Sequence, residues 1–116
     1  RLGVCMGAKA RTFSGLAGLG DLFVTCTSQH SRNRFVGYML GKGNSLQNIL
    51  KDMKMVAEGI KTTKTAIKLA KSYNIEMPIT EQVYRLLFKN ADPLDALQSL
   101  MKRDKTIEIE ELAFYQ

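Results

Sequence analysis

The sequence has little of what most metal-binding, redox or membrane signatures are built from. Histidine occurs once, at His30, with no cysteine beside it, so no metal site of ordinary His/Cys spacing is expected. The two cysteines, Cys5 and Cys26, lie far apart and form no CxxC pair. That excludes a disulfide scaffold and leaves buried or free thiols in a reducing compartment. No apolar run approaches the ~20 residues of a membrane span, and no signal-peptide pattern is visible, so stable membrane insertion is not expected. Strict alternation of apolar and polar residues is missing outside the tail, which removes the main signal for a sheet. Internal repeats and low-complexity linkers are also absent.

What remains is an ordinary globular composition, 45% hydrophobic and 24% charged in 116 residues, enough for one core. The chain opens on Arg1, in "RLGVCMGAK", as if cut from a running pattern, so it is read as a piece of a longer protein. A net charge of +6 and a pI near 9.5 invite an anionic partner. The strongest basic feature is the series Lys61, Lys64, Lys68 and Lys71, on one helical face opposite Ile60, Ile67 and Ala70. It lacks interleaved aromatics and reads as solvated helix surface.

Helical spacing dominates the rest. Residues 1–6 read as a helix end with Gly7 as its C-cap. In "TFSGLAGLGDLFVTC", Gly15, Gly18 and Gly20 are too dense for one stable helix, predicting short turns broken around 18–20 and a turn or short helix at 22–25. Ser31 caps a helix over 32–40, which Gly41-Lys42-Gly43 stops, and Ser45 caps another over 46–53. A longer helix is predicted over 57–73. Thr80 is read as the cap of a helix reaching 89, with Pro78 shortly before it. Asp92-Pro93 starts a last helix to about 102. There Leu94, Leu97, Leu100 and Met101 form the expected core-facing stripe. Thr106–Glu110 alternates but has no partner strand, so the tail is read as a frayed helix or extended segment. The fold class expected is all-α.

The chemistry concentrates in "SRNRFVGYML". At about 100° per residue, Phe35, Val36, Met39 and Leu40 share one stripe that includes Arg32, whereas Arg34 falls opposite. An inward guanidinium needs a buried carboxylate or an anionic ligand. The first turn of a helix already favours an anion, and Ser31, Arg32 and Asn33 could together surround one. The alternative is a plain serine cap with Arg32 paired to Asp21. Asp21 follows "GLAGLG", which allows close backbone approach but follows no predicted strand, so it is not a dinucleotide fingerprint. His30 reads as a loop residue. Met39, Met53, Met55, Met77 and Met101 read as core or interface filler, and Tyr84, Leu87 and Phe88 as core-like.

The run "TFSGLAGLGDLFVTCTSQHSRNRFVGYMLGKG" resembles the substrate-domain signature of bacterial-type NAD(P)-dependent glycerol-3-phosphate dehydrogenases. "VAEGIKTTKTA", "MPITEQVYRLLF" and "DPLDALQSLMKR" continue the resemblance in order, over residues 1–103. It implies a multi-helix C-terminal domain of the 6-phosphogluconate-dehydrogenase-like type, an N-terminal Rossmann domain outside this sequence, and an active site between them. Residues 104–116 form a tail without a recognised motif.

The resemblance further implies an oxidoreductase that interconverts dihydroxyacetone phosphate and sn-glycerol 3-phosphate with NAD or NADP, for phospholipid synthesis. Its expected setting is a cytoplasmic homodimer with no nucleic-acid partner. Matched by motif, Asp21, Ser31, Arg32 and Asn33 are substrate-binding positions, and Arg32, Val56 and Glu58 contact the cofactor, Val56 on spacing alone. The catalytic lysine is expected upstream, so none of the lysines here takes that role, and the segment alone is expected to be inactive. Two rivals stand beside this reading, a basic helical module that binds nucleic acid and a helical oligomerisation domain without a ligand site.

Overall fold

A computed structural model describes residues 1–104, and the reading of the tail lies outside the described residues. Among the described residues all regular structure is helical. The helices are α1 Leu2–Cys5, α2 Ala10–Ser14, a π-helical segment Leu16–Gly20, α3 Asp21–Thr27, α4 Arg32–Gly41 and α5 Leu46–Asp52, followed by α6 Glu58–Ser72, α7 Pro78–Phe88 and α8 Pro93–Met101. The particle measures 47 × 29 × 24 Å.

Helix boundaries follow local chemistry. The Ser31 and Ser45 hydroxyls accept from the Arg34 and Asn48 backbone N–H groups at 3.2 and 3.3 Å. Asp92 Oδ1 accepts from Leu94 and Asp95 at 2.8 and 3.1 Å, with Pro93 at the first helical position. Each bond satisfies an N–H that has no partner inside its own helix. Three helices end in the same left-handed reversal. Gly7, Gly43 and Asn74 have φ of 95°, 86° and 54°. The next residue then donates back to Gly3, Met39 and Ala70 at 2.9, 3.1 and 2.8 Å.

Three expectations are corrected. Thr80 lies inside α7, which begins at Pro78 with Met77 before it, because proline's fixed φ already suits the first turn. The break expected at 18–20 falls at Gly15, which is extended (φ −94°, ψ −164°), and the chain then runs helically into α3. Wide π geometry accommodates the glycines, closing with Gly20 N–H donating to Gly15 O at 3.2 Å. On α8 the buried residue is Ala96, 4% exposed, whereas Leu94, Leu97 and Met101 stand open. Of the expected stripe only Leu100 is half-buried.

The core forms where α4, α5 and α7 meet the start of α6. Val36, Ile49, Ala57 and Leu87 are buried, with Met39, Leu40, Met53, Ile60 and Phe88 packed around them. Of the remaining filler residues Met77 is half-buried, but Met55 and Met101 are exposed. Arg1 and Leu2 line a cavity with Ile75–Thr80 and Leu100, while the segments from α2 to α3 pack chiefly on one another and on α4. They leave large apolar side chains open, with Leu16 at 91% and Phe23 at 68%.

Glycine has opposite meanings in the two regions. A Cβ on Gly18 would collide with the Phe13 backbone, whereas a Cβ on Gly37, inside α4, meets nothing within 4 Å. Gly18→Ala is therefore expected to cost about 2 kcal/mol or more. Gly37→Ala is expected to stabilise by roughly 0.5–1 kcal/mol, by removing unfolded-state freedom from a helical position. Thermal unfolding followed by far-ultraviolet circular dichroism measures both signs.

Candidate functional site

The extended Ser31 backbone (φ −68°, ψ 114°) starts α4 sharply and sets Arg32 and Asn33 in its first turn. Opposite them, the connector 53–57 delivers the chain into α6. Ala57 is 1% exposed and anchors that connector in the core, but it has no side-chain oxygen with which to cap α6. Asn33 does this from another helix, its Oδ1 accepting from Gly59 N–H at 3.2 Å across 26 residues. Beside it, Arg32 Nη1 donates to the Val56 carbonyl at 3.0 Å across 24 residues. Neighbouring side chains of α4 are thus fixed to one short stretch, 56–59.

Gly59 is what makes the approach possible. A Cβ there would stand 2.7 Å from Asn33 Oδ1 and 2.9 Å from its Cγ. Sequence reasoning missed this residue. The available signal was a glycine one position inside a helix start, in "VAEG", where helix propensity disfavours it unless something packs closely.

The structure brings Arg32, Asn33, Val56 and Glu58 together around the start of α6. Glu58 is its first residue and exposed, a placement favourable to the helix dipole. Ser31 adjoins them as the cap of α4. Asp21 opens α3, which packs on α4, and is exposed. No ion pair joins Asp21 to Arg32. The inward turn expected for Arg32 is corrected too, since Arg32 and Arg34 are both exposed. The helical wheel placed Val36 correctly, at 3% exposure. At the first turn, however, the long Arg32 side chain runs across to the neighbouring connector and meets a carbonyl oxygen.

These residues lie on an open face. Two cavities, of about 590 and 320 Å³, sit elsewhere, one beside Ile75–Thr80 and Leu100, the other beside Gly43–Leu46 and Asn90–Pro93. No group of three or more potential metal ligands occurs among the described residues. None of their helices is long and apolar enough to cross a membrane. Cys5 and Cys26 are free and exposed, not buried. His30 lies in the turn before α4, its backbone N–H donating to Ser28 Oγ at 3.2 Å. The four lysines of α6 are exposed, and Lys64 Nζ sits 4.3 Å from the centre of the Phe88 ring.

Comparison with known proteins places this arrangement. Residues 1–98 match the family described as NAD-dependent glycerol-3-phosphate dehydrogenase C-terminus. The chain belongs to that family. It is 55% identical over 113 residues to "Glycerol-3-phosphate dehydrogenase [NAD(P)+]" of Desulfitobacterium hafniense, covering 97% of this chain and 32% of that one. A relative of the same name from Geobacillus kaustophilus is 54% identical over 112 residues, covering 97% and 33%. The crystal structure of glycerol-3-phosphate dehydrogenase from Coxiella burnetii matches with a TM-score of 0.85 at 43% identity, covering 89% of this chain and 32% of that one. The chain thus spans about a third of the length of the relatives it matches, and as a family member it has the all-helical C-terminal fold. Similarity over 113 residues also runs past Arg103 into the tail.

The bond from Asn33 to α6 is a helix cap supplied from a distance. Asn33→Ala is expected to lower stability by about 1 kcal/mol, whereas Arg34→Ala stays within about 0.5 kcal/mol. Urea denaturation of the two variants beside the parent chain measures the difference.

Proposed function

We propose that the chain is the substrate-binding third of an oxidoreductase that interconverts dihydroxyacetone phosphate and sn-glycerol 3-phosphate with NAD(P)H. The observation that carries this reading is the fixing of Arg32 and Asn33 to stretch 56–59 with hydrogen-bond donors left over, in a member of this family. One N–H of the Arg32 guanidinium is taken by Val56, and the others, with the Asn33 amide NH₂ and the Ser31 hydroxyl proton, form a donor set suited to phosphate oxygens. Held by that end, the substrate presents C2 at a constant place.

Asp21 accepts from substrate hydroxyls or orients a lysine ammonium supplied by the upstream domain. A carboxylate there would repel the phosphate, so it serves the other end of the molecule. That lysine stabilises the charge developing on the C2 oxygen and donates its proton, acting as base in the reverse direction. A nicotinamide dinucleotide supplies the hydride when bound. The residues present suit such a group, because the Arg32 guanidinium and the Glu58 carboxylate are both exposed around the start of α6. Glu58 accepts from ribose hydroxyls and Arg32 meets a phosphate. Val56, its carbonyl engaged by Arg32, offers its half-open side chain.

In the full-length protein a Rossmann domain faces these residues. The exposed apolar side chains of Leu16, Leu19 and Phe23 are the kind of surface such a partner covers. The working enzyme is a cytoplasmic homodimer that supplies glycerol 3-phosphate for phospholipid synthesis.

Arg32→Ala in the full-length protein is expected to raise KM for glycerol 3-phosphate by about tenfold or more, the worth of a charge-assisted bond. Arg34→Ala is expected to leave it within about twofold. Equal losses in steady-state assays overturn the assignment. The 116-residue chain alone is expected to show no dehydrogenase turnover, and measurable turnover overturns the division of labour.

A further inference from the structure

Asn33 Oδ1 accepts from the Gly59 backbone N–H at 3.2 Å. A backbone N–H only donates, so the amide atom facing it is necessarily the oxygen, and the orientation of the side chain is settled. The NH₂ end then makes no hydrogen bond within the described residues and is left as a donor. The amide also lies flat against the Gly59 Cα. A Cβ added there would stand 2.7, 2.9 and 3.1 Å from Oδ1, Cγ and Nδ2, against about 3.5 Å for unstrained heavy-atom contact. Any side chain at position 59 therefore displaces the whole amide group.

We infer that Gly59 is a positioning residue: by leaving room for the Asn33 amide and engaging its oxygen, it fixes which end of the amide is occupied and keeps the NH₂ free as a donor to an anionic ligand. The inference rests on the reading that Asn33 helps hold the substrate phosphate. Arg32 is treated in the same way three residues earlier, since Val56 O takes one N–H and leaves the others. Arg32 and Asn33, held by stretch 56–59, consequently present only donors, and the exposed Glu58 carboxylate is left to the cofactor side of the site. Such a surface selects a polyoxyanion such as a phosphate monoester over an ammonium or a neutral hydroxyl end. A carbonyl oxygen turned outward would repel the same oxygens.

The test uses the full-length protein and four variants: Gly59→Ala, Asn33→Ala, the double variant and Asn33→Asp. Gly59→Ala is expected to raise KM for glycerol 3-phosphate about tenfold while KM for the nicotinamide cofactor stays within about twofold. In the Asn33→Ala background the same change adds no more than about twofold, because the amide it displaces is gone. Asn33→Asp keeps an acceptor for Gly59 N–H and therefore keeps the thermal midpoint. Its outward oxygen opposes phosphate, so KM for glycerol 3-phosphate rises about tenfold and competitive inhibition by inorganic phosphate weakens with it.

If Gly59→Ala does not fold, the double variant, free of the clash, is compared with Asn33→Ala. Equal KM values support the inference and a further loss overturns it. Independent, multiplicative effects of the two positions overturn it, as does an Asn33→Asp enzyme with parental KM. If these fail while Arg32→Ala still impairs phosphate-substrate use, the substrate-site reading stands and only the role of Gly59 is lost. If Arg32→Ala is also silent, the site reading itself is wrong.

Discussion

Two side-chain hydrogen bonds, from Arg32 to the Val56 carbonyl and from the Gly59 N–H to Asn33, hold the beginning of α4 against the beginning of α6. The core continues directly beneath them. Val36, one turn along α4 from Arg32, and Ala57, the residue before α6, belong to the same buried cluster as Ile49 and Leu87. Packing thus brings the two helix starts together, and the polar bonds set their rotation. Such bonds contribute only about 1 kcal/mol each. Their larger consequence is geometric, because two adjacent long side chains lose most of their freedom at the positions where a ligand would need them ordered.

The same arrangement explains why the candidate residues lie in the open. Each bond engages one terminal atom, Nη1 of Arg32 and Oδ1 of Asn33, and leaves the remaining N–H groups of both side chains as donors. Arg32, Asn33 and Glu58 are all exposed, and neither cavity reaches them. A surface contacted from one side holds a small anion weakly, since ligand sites normally enclose most of the bound molecule. Apolar side chains are also left open on the π-helical segment and α3. Leu16 and Phe23 gain nothing by projecting into water, and their exposure marks area that a second body can bury.

Much of the helical order was legible because its causes are local. Serine and aspartate caps, proline at a first helical position and glycine or asparagine in left-handed reversals act within four residues of where they stand. Misreadings occurred where a local signal had a competitor. Thr80 is a good cap, but Pro78 started the helix first. The glycines of "GLAGLG" suggest a break, yet close packing of Gly18 on Phe13 uses the missing side chain inside a helical segment. On α8 the leucine periodicity identified the helix but not its buried edge, where Ala96 lies.

The helix start brought Ser31, Arg32 and Asn33 to notice, the motif added Val56 and Glu58, and helical spacing located Val36 in the core. The partner of Arg32 could not be found in this way. The wheel gives a direction from the helix axis, whereas the reach of a guanidinium and the presence of a bare carbonyl depend on where another segment passes. The same holds for Asn33 as the cap of α6 and for Gly59 as the place where its amide rests. Local backbone rules thus determined the helices, their ends and the residues that seed the site. Tertiary structure decided which atoms of Arg32 and Asn33 are engaged and which remain available, because those bonds join positions 24 and 26 residues apart that only the packing of α4 on α6 brings within reach.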